Sequence, residues 1–298
     1  MRDGILNMLT EKIKELISTD ALQMADKLTK GEKKAKVIAI CSQKGGVGKT
    51  TTAVNLASAL SQLHHKKVLI VDLDPQGHVE KSLGSLIPDG MEYTPMSATL
   101  LAKKGNIIDS VIQTELELLS ITPGDRALYE TEGALASKIG REFILATALK
   151  VARTRFDFII LDCPPNLGNL TINALCAAEY LVIPCEMSVL AFEGVTDLLD
   201  TLDTVNERLN KNLKVLGVVF TRVDGRNITM NDLVEENLKN YFQGSIFKAR
   251  IAVNTDLNKA QLDGRSIFDF APSSSGAQNY STLANEVLKR IHKQQAEN

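Results

Sequence analysis

No stretch of this 298-residue chain approaches the roughly 18 uninterrupted apolar residues that a membrane-spanning helix needs. The first residues also lack the charged-then-apolar pattern of a secretory leader, so the expected location is the cytosol. CxxC spacing is missing: Cys41, Cys163, Cys176 and Cys185 sit in or beside apolar runs, the pattern of reduced thiols used as small core residues. Positive charge is in short supply as well. The formal net charge of −2 argues against constitutive, whole-surface attraction to nucleic acid, while leaving room for a local basic patch or for binding that depends on assembly. There is no internal repeat and no long low-complexity segment.

What remains is an ordinary soluble composition, 44% hydrophobic and 23% charged, long enough for one large α/β domain or two small ones. Residues 1–35 read as a separate helical arm. Ile5, Leu6, Leu9, Ile13, Leu16 and Ile17 recur at helical spacing, Leu22, Met24 and Leu28 follow the capping signal Ser18-Thr19-Asp20, and Lys30, Lys33, Lys34 and Lys36 form a charged linker. Such an arm suits docking on the main domain, on a partner chain or on nucleic acid, and equally a solvated packing role. Over 36–298, short apolar runs alternate with helical ones. Val37–Cys41, Val68–Leu73, Leu118–Ile121, Phe156–Leu161, Tyr180–Pro184 and Val215–Thr221 are β-rich, whereas Val195, Leu198, Leu199, Leu202, Val205 and Leu209 recur every three or four residues. Parallel strands need crossovers, so this alternation predicts an α/β fold: a mostly parallel, twisted, doubly wound sheet with helices on both faces. Ligands then belong at the carboxyl ends of the strands.

The strongest local signal is Lys44-Gly45-Gly46-Val47-Gly48-Lys49-Thr50-Thr51, which follows the first strand and opens a helix. Its glycines let backbone N–H groups turn inward around phosphate oxygens, and the helix N-terminus adds partial positive charge. In that setting Lys49 is placed to reach the β- and γ-phosphates of a nucleotide, Thr50 to ligate Mg²⁺, and Thr51 to lie near the α-phosphate. The first glycine of the general P-loop pattern would fall at Gln43, and a second lysine, Lys44, opens the loop instead.

This KGGxGK[ST] form resembles the deviant Walker A motif of the ParA/MinD superfamily. The resemblance implies that Lys44 reaches across a nucleotide-sandwiched homodimer to the partner's ATP and acts there much as an arginine finger does. Val71-Asp72-Leu73-Asp74-Pro75-Gln76-Gly77 is similar to the ParA family's DxDPQG string, implying that Asp74 orients or activates the attacking water and that Asp72 lies nearer the Mg²⁺ shell. Where most relatives carry Asn, this chain has His78, which reads either as a new base or as a partly exposed loop residue. Phe158-Ile159-Ile160-Leu161-Asp162-Cys163-Pro164-Pro165 matches the Walker B form, so Asp162 is expected to hold Mg²⁺ through a water, and the stiff loop after it to sense the γ-phosphate. Thr221-Arg222-Val223-Asp224-Gly225-Arg226 resembles a T-x-x-D-x-R segment that closes over adenine in relatives, which places Thr221 and Asp224 at the nucleotide and Arg226 on DNA.

The resemblance runs over roughly residues 36–293 and is strongest for ParA-type partition ATPases. It implies an ATPase that uses ATP and Mg²⁺, dimerises with ATP, binds DNA non-specifically and answers to a centromere- or cargo-binding partner protein, nucleoid-associated when ATP is bound. The DNA patch is expected from Arg226, Arg250, Lys289, Arg290 and Lys293, with Lys248, Lys259 and Arg265 as further cations, although all of these but Arg226 read equally as ordinary solvated surface charges. Against it, Val253 and Asp256 fall where many chromosomal relatives have arginines. Three alternatives remain: an ATPase positioning a protein assembly, a MinD-like membrane-cycling regulator, and an iron–sulfur or ligase relative on the same fold. The second expects a C-terminal amphipathic anchor, but Leu283, Val287, Leu288 and Ile291 lead into a polar tail with no aromatic residue. For the cluster, Cys163 has no second cysteine at ligand spacing.

Overall fold

The computed structural model describes residues 34–188, 191–242 and 244–296, and the expected N-terminal arm falls outside them but for its last two residues. In chain order the elements are β1 (Lys36–Ile40), α1 (Lys49–Gln62), β2 (Val68–Asp72), α2 (His78–Ser82), α3 (Met96–Leu101), β3 (Ile112–Gln113), β4 (Leu119–Thr122) and α4 (Leu128–Leu135). There follow α5 (Ile144–Ala148), α6 (Ala152–Arg155), β5 (Phe158–Asp162), α7 (Asn169–Ala177), β6 (Tyr180–Glu186), α8 (Ala191–Arg208), β7 (Lys214–Val223) and α9 (Ile228–Phe242). The chain closes with β8 (Ile246–Ala252), α10 (Thr255–Leu262), α11 (Ile267–Phe270) and α12 (Ser275–Ala296).

The strands form one sheet in the order β3-β4-β2-β5-β1-β6-β7-β8, parallel throughout except for β3, which runs antiparallel to β4. All six expected strands form, their ends shifted by a residue or two. β3 was too short to leave a signal. β8 was missed for a different reason: Phe247, Ala249 and Ile251 are buried but alternate with Lys248 and Arg250, so this edge strand lacks the continuous apolar run of a strand buried on both faces.

Period-two alternation sorts the interior into two cores. Val37, Ala39, Leu69, Val71, Ile159 and Leu161 belong to one face, and Ile38, Ile40, Val68, Ile70 and Ile160 to the other. All of these are fully buried, so truncating any of the large ones to alanine should cost about 2–5 kcal/mol. On the second face α1 is buried along most of its length, because Ala53, Ala57, Ser58, Ala59 and Ser61 are small enough to let it lie close between the sheet and α12. α12 in turn covers the β7–β8 edge. Glu286 accepts the Lys248 and Ala249 N–H groups at 2.9 and 3.0 Å, and Arg290 donates to the Leu216 and Ile246 carbonyls at 2.7 and 2.6 Å. Backbone groups that an edge leaves open are thereby satisfied.

Register decides where chemistry can occur. Ile40 pairs with Asp162, and Asp72 with the same Asp162, so the carboxyl ends of β1, β2 and β5 finish at one level beside the loop that leaves β1.

Candidate functional site

The loop between β1 and α1 turns through two left-handed glycines, Gly46 at φ 74° and Gly48 at φ 87°, a backbone that side-chain-bearing residues rarely adopt. Apart from the adjoining residues, no atom of the described residues lies within 4 Å of where a Cβ would stand at Gly45 or Gly46. Gly48 caps α1 without a side-chain acceptor, leaving the N–H groups of the first helical turn open to an anion. Two ties hold the loop: Thr221, near the end of β7, donates its hydroxyl to the Val47 carbonyl at 2.8 Å, and the Lys49 ammonium donates to the Lys44 carbonyl at 3.1 Å. Lys49 is buried, and burial lowers its pKa against the pull of Asp162 and the neighbouring thiols.

In front of this loop opens a cavity of about 420 Å³. Gly45 through Thr51, Asp74 and Thr221 line it, together with Ile251, Asn254, Leu257 and Tyr280. The lining therefore supplies N–H groups, an ammonium and hydroxyls as well as apolar and aromatic side chains. That mixture suits a phosphate chain attached to a flat ring.

The three aspartates behave differently. Asp162 is fully buried, and neither of its oxygens has a hydrogen-bond partner. Burial pushes its pKa up to about 7, while the nearby Thr50 hydroxyl pulls the other way without closing a hydrogen bond of good geometry. A buried carboxylate with idle oxygens beside a free hydroxyl is the donor set of a hydrated Mg²⁺, so these residues fit the ion. Asp72 is engaged within the fold: its two oxygens accept the Asp74 N–H at 2.9 Å and the Val79 N–H at 3.0 Å. It shapes the loop carrying Asp74, and burial raises its pKa well above the usual carboxylate range. Asp74 lines the cavity with one oxygen held by the Gln76 N–H at 2.9 Å. Gly124 backs the Asp72 carboxylate and the Asp74 backbone, because a Cβ there would come within 2.9 Å of the Asp72 carboxyl carbon and 2.5 Å of the Asp74 carbonyl oxygen. Nothing in the sequence signalled that packing.

Other expected residues lie at varying distances from this centre. Lys44 is turned onto Glu186 at 2.9 Å and the Ser188 hydroxyl at 3.2 Å rather than into the cavity wall. Asp224 also stands outside the wall, clasped by Arg226 at 2.7 Å, which holds its carboxyl at about 2. His78 opens α2, half-buried, and lines the cavity. Asp256 lies in the first turn of α10, where a negative charge favours the helix start, and pairs with Lys259 at 3.4 Å.

Of the five cations expected on DNA, Arg226 and Lys289 are exposed, as is Lys293, which also has a contact within the chain. Arg250 and Arg290 are engaged in the fold. Arg290 adds to its two carbonyls an ion pair with Glu286 at 2.8 Å and a position 4.2 Å over the Phe247 ring. Arg250 pairs with Glu235 at 2.8 Å, bonds to the Phe247 carbonyl and lies 4.8 Å over Phe220. The four cysteines are free and buried, as small core residues should be.

Comparison with known proteins places this geometry in context. The sequence family described as an AAA domain matches residues 35–215. The chain is 40% identical to the sporulation initiation inhibitor protein Soj of Bacillus subtilis over 85% of its own length and 98% of that protein's. It is 37% identical to the chromosome partitioning protein ParA of Myxococcus xanthus, over 86% of this chain and 88% of the relative. Among solved structures, cobyrinic acid a,c-diamide synthase from Mycobacterium smegmatis with bound ADP and magnesium superposes with a TM-score of 0.72 at 31% identity, covering 87% of this chain and 96% of that one.

Proposed function

Because this chain belongs to the ParA/MinD superfamily and is a ParA-type partition ATPase, we propose that its cavity binds ATP with Mg²⁺ and hydrolyses it to ADP and phosphate. The observation that carries this reading is the pair of idle Asp162 oxygens beside Thr50, at the foot of a loop whose glycines and buried lysine face an open cavity.

Residues Gly45 through Thr51 hold the phosphates through backbone N–H groups, and Lys49 adds the charge. Thr50 and Asp162 hold Mg²⁺, which when bound neutralises charge on the phosphate oxygens. Asp74 orients the attacking water: it lines the cavity, and one of its oxygens makes no hydrogen bond with any described residue. Asp72 fixes the loop that presents Asp74. Thr221 keeps the P-loop closed from the β7 side, and Ile251, Leu257 and Tyr280 take the base.

ATP drives a homodimer in which Lys44 leaves Glu186 for the partner's nucleotide. That dimer binds DNA without sequence preference, and a partner protein carried by the cargo stimulates hydrolysis. Support for DNA now rests on Arg226, Lys289 and Lys293, since Arg250 and Arg290 hold the β7–β8 edge. Membrane cycling finds no support in α12. Leu283, Val287 and Ile291 are buried, and no helix among the described residues is long and apolar enough to cross a membrane. The protein then works in the cytoplasm, on the nucleoid while ATP is bound.

The test compares purified protein with ATP, ADP or no nucleotide, each with Mg²⁺, by light scattering and by retardation of a duplex of arbitrary sequence. Dimer and DNA complex should both appear with ATP alone. DNA binding that ignores nucleotide, or a chain that stays monomeric with ATP, would overturn the reading.

A further inference from the structure

Glu186 ends β6 opposite Thr221 of β7 and gathers two cations. Besides Lys44, the Arg222 guanidinium stands 3.5 Å from its second oxygen. The two cations hold the Glu186 carboxyl below the usual carboxylate range, led by the Lys44 hydrogen bond. Arg222 is also the residue after Thr221, whose hydroxyl grips the P-loop, and it lines the nucleotide cavity.

Its backbone is unusual. Arg222 has φ 52°, one of two left-handed non-glycine residues among those described, the other being His65 in an exposed loop. Such a conformation costs about 1–2 kcal/mol. Here it falls inside a strand, where the β7–β8 pairing register shifts between Phe220 and Val223. Packing does not repay the strain, because the side chain is 62% exposed. An exposed ion pair is worth at most about 1 kcal/mol and does not repay it either. What the conformation does achieve is to set a planar, permanently charged donor at the mouth of the cavity.

We propose that Arg222 is a nucleotide-binding residue of this chain. Its guanidinium, paired with Glu186 in this structure, turns to the polyphosphate of the bound nucleotide. Glu186 is the positioning residue, keeping Arg222 and Lys44 beside the site. Polyphosphate carries more negative charge than one carboxylate and offers oxygens that match the guanidinium fork, so binding draws the cation across. The assignment rests on the ATP reading above.

Calorimetric titration with Mg-ATP and with AMP tests it, using wild type, Arg222→Gly, Arg222→Lys and Glu186→Gln, with Lys49→Ala as the control for the site itself. Arg222→Gly should bind Mg-ATP about tenfold more weakly, the loss of one charge-assisted contact, and the deficit should shrink at high salt. Its AMP affinity should match wild type, Arg222→Lys should recover part of the loss, and Glu186→Gln should bind Mg-ATP more tightly. Without nucleotide, Arg222→Gly should melt at the same or a higher temperature, since glycine relieves the left-handed strain. Unchanged Mg-ATP affinity in Arg222→Gly, an equal loss for AMP, or weaker binding together with a lower melting temperature would overturn the assignment. Full ATP binding by Lys49→Ala would instead overturn the ATP site, and Arg222 with it.

Discussion

Replacing Asp162 by Asn should make the nucleotide-free protein more stable while destroying its function. Burial pushes the native carboxyl from 3.8 up to about 7, because it outweighs the opposing pull of the Thr50 hydroxyl and the Lys49 charge. At about 1.4 kcal/mol per pH unit, holding that charge inside the fold above neutral pH costs at most about 4 kcal/mol. The sign follows from linkage: a carboxyl whose folded pKa is raised releases its proton more readily when unfolded, so wild-type stability falls as pH rises between about 4 and about 7. The amide removes the charge but leaves its own polar atoms short of partners, a penalty of about 1–2 kcal/mol. A net gain of about 2 kcal/mol remains at pH 8, or roughly 4–6 °C in melting temperature. At pH 5 the native carboxyl is already protonated and the gain should be near zero. Scanning calorimetry of both proteins without Mg²⁺ at pH 5 and pH 8 measures this. Titration of Mg-ATP should show the variant losing the Mg²⁺-dependent part of its affinity. A variant that melts lower than wild type by the same margin at both pH values would refute the claim that this carboxylate is strained.

Lys49→Ala should abolish ATP binding in calorimetry, because it removes the one buried ammonium at the loop, whereas Thr50→Ala should weaken only the Mg²⁺-dependent part. Asp74→Ala should keep ATP and the ATP dimer yet lose hydrolysis, while Lys44→Ala should spare binding to the monomer and impair the dimer or its chemistry; size-exclusion with ATP and Mg²⁺ beside a phosphate-release assay separates the two. Glu substitutions at Arg226, Lys289 and Lys293 should weaken DNA binding uniformly across sequences and flatten its salt dependence by about 0.9 in the log–log slope per lost phosphate contact, leaving the dimer intact. Arg290→Ala should behave differently, lowering stability by about 2–4 kcal/mol in thermal unfolding, because two strand carbonyls lose a donor and Glu286 loses its ion-pair partner.

What the sequence determined by itself is whatever depends on neighbours along the chain. Alternating apolar runs specified six strands and a parallel sheet, since a buried strand and a crossover helix leave periodic traces over a few residues. The phosphate loop was legible for the same reason: left-handed glycines, the lysine and the threonine act within eight consecutive positions. β8 left no such trace, because an edge strand needs only every second residue to be apolar. Tertiary structure decided the rest, wherever a side chain's role depends on what another segment brings to it. Asp72 and Asp162 carry the same carboxylate at the ends of paired strands, yet two backbone N–H groups occupy one and leave the other idle. Arg226 and Arg290 read alike as surface cations, until α12 packs on the β7–β8 edge and turns the second into its clamp. Lys44 meets Glu186 from 142 residues away, a distance in sequence over which no local pattern can specify which charge a flexible side chain will find.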